Sequence, residues 1–145
     1  MKIGELATKT GCPVETIRFY ERSGLIPPPA RSPGNFRTYG NSHFHRLVFI
    51  RHCRLLGMSL SEIVRLLHFH DTPDARCGEV NALLDRHLDD LRHRIQTLQE
   101  LERQLAALRA ECETTQAASE CGILHHLGSL ATMPGNIVQL KQQRK

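Results

Sequence analysis

GEVNALLDRHLDDLRHRIQTLQELERQLAALRAEC, residues 78–112, contains no proline and no glycine after Gly78. Apolar residues recur at Val80, Leu84, Leu88, Leu91, Ile95, Leu98, Leu101, Leu105 and Leu108, in steps of three or four. Such steps keep side chains on one face of an α-helix, and a stripe this narrow has the form of a coiled-coil seam. The spacing predicts one helix of about ten turns. A helix of that length at the edge of a 145-residue chain cannot bury its stripe alone. The simplest partner is the same helix in a second chain, so a homodimer is expected.

Working back from this helix, the chain reads as a small helical domain. Ile3, Leu6 and Ala7 mark a first helix that Gly11 stops. Pro13 suits the first position of a second helix, which Val14, Ile17 and Tyr20 carry to about Arg22. Helix, tight turn with glycine, helix is the form of a helix-turn-helix. Pro27–Pro29 end it. Pro33-Gly34-Asn35 make a turn, and the residues after it alternate as a short strand, predicting a small β wing. A third helix is expected over His43–Leu56 with Phe44, Leu47 and Val48 inward. Gly57 closes it, and Ser59 with Glu62 forms a capping box for a fourth helix that ends before Pro73. Met58 and Ile63 are its hydrophobic staple. The expected organisation is a winged helix-turn-helix domain over 1–74, a dimerisation helix over 75–112, a loop and short helix over 113–130, and a mobile polar tail over 131–145.

Charge divides the same way. Residues 1–54 hold nine Lys/Arg against three Glu, while 55–145 hold ten against twelve acidic residues. A basic end of this kind suits a polyanion, although an ordinary basic surface would read alike. On the helix-turn-helix and wing, the side chains offered to DNA are Thr16, Arg18, Phe19, Tyr20, Arg31, Asn35, Phe36, Arg37, Tyr39 and Arg54, supplying donors and flat surfaces to groove edges and phosphates. No apolar run reaches the ~20 residues of a membrane span, and Met1–Lys9 lacks the apolar core of a signal peptide. A cytoplasmic protein without a membrane partner is expected. No His-Glu-x-x-His, phosphate-binding glycine loop or Ser/His/Asp order is present, so no enzyme is expected.

Five cysteines, Cys12, Cys53, Cys77, Cys112 and Cys121, are an odd number and argue against a closed disulfide framework. Cys12 and Cys53 fall in helical packing regions and read as buried thiols. Cys77 precedes the long helix, Cys112 ends it, and Cys121 follows nine residues later. Cys77 and Cys112 would lie roughly 50 Å apart along a straight helix at ~1.5 Å per residue. Antiparallel pairing of two such helices brings Cys77 of one chain beside Cys112 and Cys121 of the other, giving two three-thiolate sites per dimer. Three thiolates suit soft ions such as Pb(II), Cd(II) and Hg(II), and zinc more commonly takes four ligands. The plainer reading is that Cys112 fills the seam seven residues after Leu105; it accounts poorly for Cys121 in a polar loop. His87, His125 and His126 are either auxiliary ligands or solvated side chains.

Thr16-Ile17-Arg18-Phe19-Tyr20-Glu21, Gly24-Leu25 and Asn35-Phe36-Arg37-Thr38-Tyr39, followed by a leucine-rich helix, resemble the MerR family of regulators from Met1 to about Leu127. Phe49-Ile50-Arg51-His52-Cys53-Arg54, Cys77-Gly78-Glu79-Val80-Asn81 and Ser119-Glu120-Cys121-Gly122-Ile123-Leu124 are similar to its lead- and cadmium-responsive branch. Pro27–Ser32 and the eight-residue gap between Cys112 and Cys121 lean to lead, although the mercury regulators share that gap. The family's zinc regulators carry adjacent cysteines and a loop histidine, which this chain lacks, and its copper regulators lack a thiol matching Cys77. The resemblance implies a dimer on a promoter with an overlong spacer. It further implies that metal bound by Cys112, Cys121 and the partner chain's equivalent of Cys77 re-orients the DNA-binding lobes. The spacer is then bent and untwisted so that RNA polymerase engages both promoter elements. Arg18, Tyr20, Arg37 and Arg54 are its implied DNA contacts. A redox state or an organic ligand as the signal is the other reading left by the residues.

Overall fold

The computed structural model describes residues 1–129; the tail expected over 131–145 lies outside the described residues. Its elements run α1 (Ile3–Thr10), α2 (Val14–Arg22), β1 (Ala30–Arg31), β2 (Arg37–Thr38), α3 (Asn41–Leu55), α4 (Leu60–His70), α5 (Gly78–Ala110) and α6 (Gly122–Leu127), with a single 3-10 turn at Ala118–Glu120. Two compact units divide the chain, one from Met1 to His87 and one from Leu88 onward. No helix of the described residues is long and apolar enough to cross a membrane.

Gly11 ends α1 in the left-handed region at φ 67°, where a side chain is strained. The space is closed as well. A Cβ there would lie 2.5 Å from Nη1 of Arg51, whose guanidinium donates to the Thr10 carbonyl at 2.8 Å. Glycine therefore lets α3 grip the turn of the helix-turn-helix directly. Pro13 serves as the N-cap of α2, one position before the first helical residue. The wing has two arms where the sequence suggested one: Ala30 pairs Thr38 and Arg31 pairs Arg37, antiparallel. Asn35, at φ 65°, makes the turn between them, its N–H donating to the Ser32 carbonyl.

On α3 the inward face is rotated from the expected one. Leu47, Ile50, Cys53 and His43 are buried, while Phe44 and Val48 are only half-buried. The difference lies in His43, to which the sequence assigned no role. Its Nδ1 accepts from the Gly40 N–H at 3.1 Å and its Nε2 faces the Pro27 carbonyl at 3.2 Å. The ring thus caps α3 and ties it to the segment before the wing. The Ser59–Glu62 capping box is present in both directions, at 3.2 and 3.0 Å, and is worth ~1 kcal/mol. Its staple residues Met58 and Ile63 are buried.

The first turns of α5 present two faces. Val80 and Leu83 pack against the core of the Met1–His87 unit. Leu84, Leu88, Ile95, Leu98 and Leu105 are exposed along the helix. Val80, first read as part of the seam, therefore belongs to the unit's own core, and the seam begins at Leu84.

Candidate DNA interface and cysteine loop

The helix-turn-helix and wing share one polar anchor, Glu21. Its carboxylate accepts from Arg37 Nε at 3.2 Å and from the Tyr39 hydroxyl at 3.0 Å. The Glu21 side chain is only 15% exposed, so this pair of bonds fixes the wing's second arm to α2. Glu21 carried no role in the sequence reading, because its partners lie 16 and 18 residues on. Arg37 keeps half its side-chain surface exposed. Tyr39 does not: it is 1% exposed, and acts by holding the wing in place. Arg31 is likewise turned onto the wing, donating to Oδ1 and the carbonyl of Asn35.

Thr16, Phe19 and Tyr20 of α2 and Arg54 of α3 line one open hollow of about 340 Å³. Arg54 donates to the Met58 carbonyl at 3.0 Å, and Tyr20 is mostly buried. Phe19, Phe36 and Arg18 are exposed; Arg18 makes only a loose 3.7 Å pair with Glu15, too solvated to hold it. Arg18, Phe19, Phe36 and Arg37 thus face solvent, with Tyr20, Tyr39 and Glu21 as their support.

Burial, then the hydrogen bond to Glu21, pushes the Tyr39 phenol up to about 12. Burial also raises Tyr20. A raised folded value means that the stabilisation from the neutral phenol is complete below the ordinary value of about 10 and is lost as pH rises through about 12. An ultraviolet phenolate titration should therefore find neither of the two tyrosines ionising at its ordinary pH, and Glu21→Gln should lower the Tyr39 midpoint.

In the second unit, Cys112 and Cys121 bound the loop that follows α5. Both are half-buried, and both line one cavity of about 350 Å³ with Arg109, Thr115 and Ile123. The loop is closed by bonds at each end. Arg109 donates to the Cys112 carbonyl, the Cys112 thiol donates to the Thr114 carbonyl at 3.2 Å, and His125 bonds the Ser119 carbonyl at 2.7 Å. His126 pairs with Glu111 at 2.8 Å, joining α6 to the end of α5. Gly122 permits that approach, since a Cβ would lie 3.2 Å from the Glu111 carbonyl.

Cys77 is exposed, one residue before α5, and its carbonyl accepts the Asn81 N–H. Among the described residues, the single chain forms no cluster of three His, Cys, Asp or Glu side chains able to hold a metal. Cys12 and Cys53 are buried thiols in the first unit's core.

Residues 1–69 match the family model described as MerR HTH family regulatory protein, and residues 44–108 match the one described as MerR, DNA binding. The chain belongs to the MerR family. The HTH-type transcriptional regulator ZntR homolog of Haemophilus influenzae is 44% identical over 88% of this chain and 95% of its own length. The lead(II) complex of the regulator PbrR691 from Ralstonia metallidurans CH34 is 51% identical, with a TM-score of 0.80 over 88% of this chain and 98% of that one. The mercury(II) complex of the MerR regulator from Bacillus megaterium MB1 is 33% identical, with a TM-score of 0.69 over 89% and 100%. These MerR relatives are transcriptional regulators, not enzymes. The matched residues end at 108, before Cys112.

Proposed function

We propose that this MerR protein is a homodimeric transcriptional regulator that senses Pb(II) or Cd(II) through Cys112 and Cys121 of one chain and Cys77 of its partner. The observation that carries the reading is the cavity shared by Cys112 and Cys121. Two soft donors line it, at the end of a long helix, in a loop that Arg109 and His125 brace through backbone carbonyls. A third thiolate would complete a three-sulfur set. Within one chain the intact α5 separates Cys77 from that loop in sequence, so an antiparallel partner is the natural donor. Bound there, a thiophilic ion supplies a link between the two chains that neither holds alone.

This chain's residues do the rest. The three thiols must lose their protons, so binding releases protons and weakens in acid. Arg109 and Thr114 hold the loop so that Cys112 enters it at a fixed position. At the other end Arg18, Phe19, Phe36 and Arg37 meet promoter DNA, with Glu21 and Tyr39 setting the wing against α2. Metal biases a two-state dimer by a few kcal/mol, and distortion of the spacer DNA for RNA polymerase is the output.

The lead(II) complex at 51% identity supports lead; the mercury(II) complex at 33% keeps mercury as the second reading. The deciding experiment is competitive titration of the reduced protein with Pb(II), Cd(II), Hg(II) and Zn(II), read by transcription from its own promoter in vitro. Lead or cadmium should induce at the lowest free concentration. Induction by zinc at lower free concentration than any of the three would overturn the reading.

A further inference from the structure

Resting on that metal-sensing reading, we propose that His87 is the positioning residue that locks α5 to the DNA-binding unit, so that movement of the helix becomes movement of the lobe. His87 is a polar side chain on a helix face whose other members, Val80 and Leu83, pack against the unit's core. Its side chain is 11% exposed. Nδ1 lies 3.2 Å from Oε2 of Glu62, and Nε2 lies 2.9 Å from the Leu56 carbonyl. Leu56 is the C-cap of α3 and Glu62 the third residue of α4. One ring therefore joins α5 to both helices of the α3–α4 hairpin.

The hairpin turns beside the ring. Gly57 turns the chain at φ 79°, and a Cβ there would meet His87 Nε2 at 3.9 Å. Glu62 is itself fixed. Burial opposes its ionisation, but the Ser59 N–H and hydroxyl together with His87 outweigh that and hold its carboxyl below the usual range. The carboxylate thus caps α4 through one oxygen and holds α5 through the other.

Directional bonds are what a transmitting joint needs. Apolar contacts such as those of Val80 and Leu83 tolerate sliding and small rotation. The hydrogen bond from the ring to the Leu56 carbonyl weakens steeply when its angle is lost, and with the Nδ1 contact to Glu62 it fixes the rotation of α5 about its own axis. The adjacent face of the same turns carries Leu84 and Leu88, which start the seam. The joint and the start of the seam therefore lie on the same helix, and the ten residues before His87 lead directly back to Cys77.

The test compares wild type, His87→Ala and Ile63→Val, a core variant of the same unit that leaves the joint intact. His87→Ala should keep metal affinity and apo operator affinity within about threefold, yet lose at least about tenfold in metal-induced transcription, within the usual span of allosteric coupling. Ile63→Val should keep the wild-type induction ratio. Amide hydrogen exchange across 80–88 should quicken in His87→Ala with or without metal. Three results would overturn the proposal: wild-type induction in His87→Ala, unchanged exchange, or apo operator binding that falls in step with induction. If wild type fails to respond to Pb(II), Cd(II) or Hg(II), the sensing reading fails by itself, and the exchange comparison still decides whether the joint exists.

Discussion

Replacing Cys112 with serine is expected to abolish induction by Pb(II) or Cd(II) while leaving the dimer folded and bound to its operator. The substitution is nearly isosteric, and the serine hydroxyl can donate to the Thr114 carbonyl as the thiol does at 3.2 Å. Arg109 bonds the backbone carbonyl of this residue and is indifferent to the change. What is lost is the thiolate, replaced by a hydroxyl that stays protonated at neutral pH and is a hard ligand for a soft ion. Loss of an outer-shell partner alone costs roughly 10–100-fold in metal affinity, so loss of a direct ligand should exceed 100-fold. Isothermal titration with Pb(II) and a promoter-binding assay on the apo protein separate the two effects. If Cys112 only fills space near the end of the seam, serine should change neither metal affinity nor induction, and the site is elsewhere.

The parts of this protein legible in its sequence are those governed by neighbours in the chain. Gly11, the Ser59–Glu62 box and the end of α4 before Pro73 are short-range signals, and each falls where expected. The seam over Leu84–Leu105 follows from periodicity alone. The parts that needed coordinates are the long-range polar contacts. Glu21 to Tyr39, His43 to Pro27 and His87 to Leu56 span 18, 16 and 31 residues, and no local pattern announces them. They also explain the misread side chains. Tyr39, offered to DNA by pattern alone, is made interior by its partner Glu21. Val80 fits the seam's spacing, yet it lies on the side of α5 that packs against its own unit. For the cysteines, spacing suggested a three-thiolate site shared between chains, and the fold adds that Cys112 and Cys121 line one cavity.

Replacing Ile95 with aspartate should produce a monomer that keeps its DNA-binding unit and loses everything that depends on two chains. Ile95 lies near the middle of α5 and is 52% exposed in the single chain, so the substitution costs the folded monomer little. In an antiparallel pair the middle of one helix meets the middle of the other. Two carboxylates would then be buried side by side in an apolar seam, at a cost of several kcal/mol that no nearby group offsets. The Met1–His87 core does not include Ile95, and its cooperative unfolding should survive. Part of α5 beyond His87 should fray, because most helical stability comes from packing of an apolar face, and circular dichroism should register the lost helix. Light scattering should report half the wild-type mass. Metal titration should show loss of the tight three-thiolate site, since Cys77 is no longer held against a partner's loop. Operator affinity should fall as well, and that fall distinguishes this variant from Cys112→Ser, which keeps dimer and operator while losing only the metal. A dimeric Ile95→Asp protein that still binds Pb(II) tightly would remove the antiparallel seam from the account, and with it the sharing of each site between two chains.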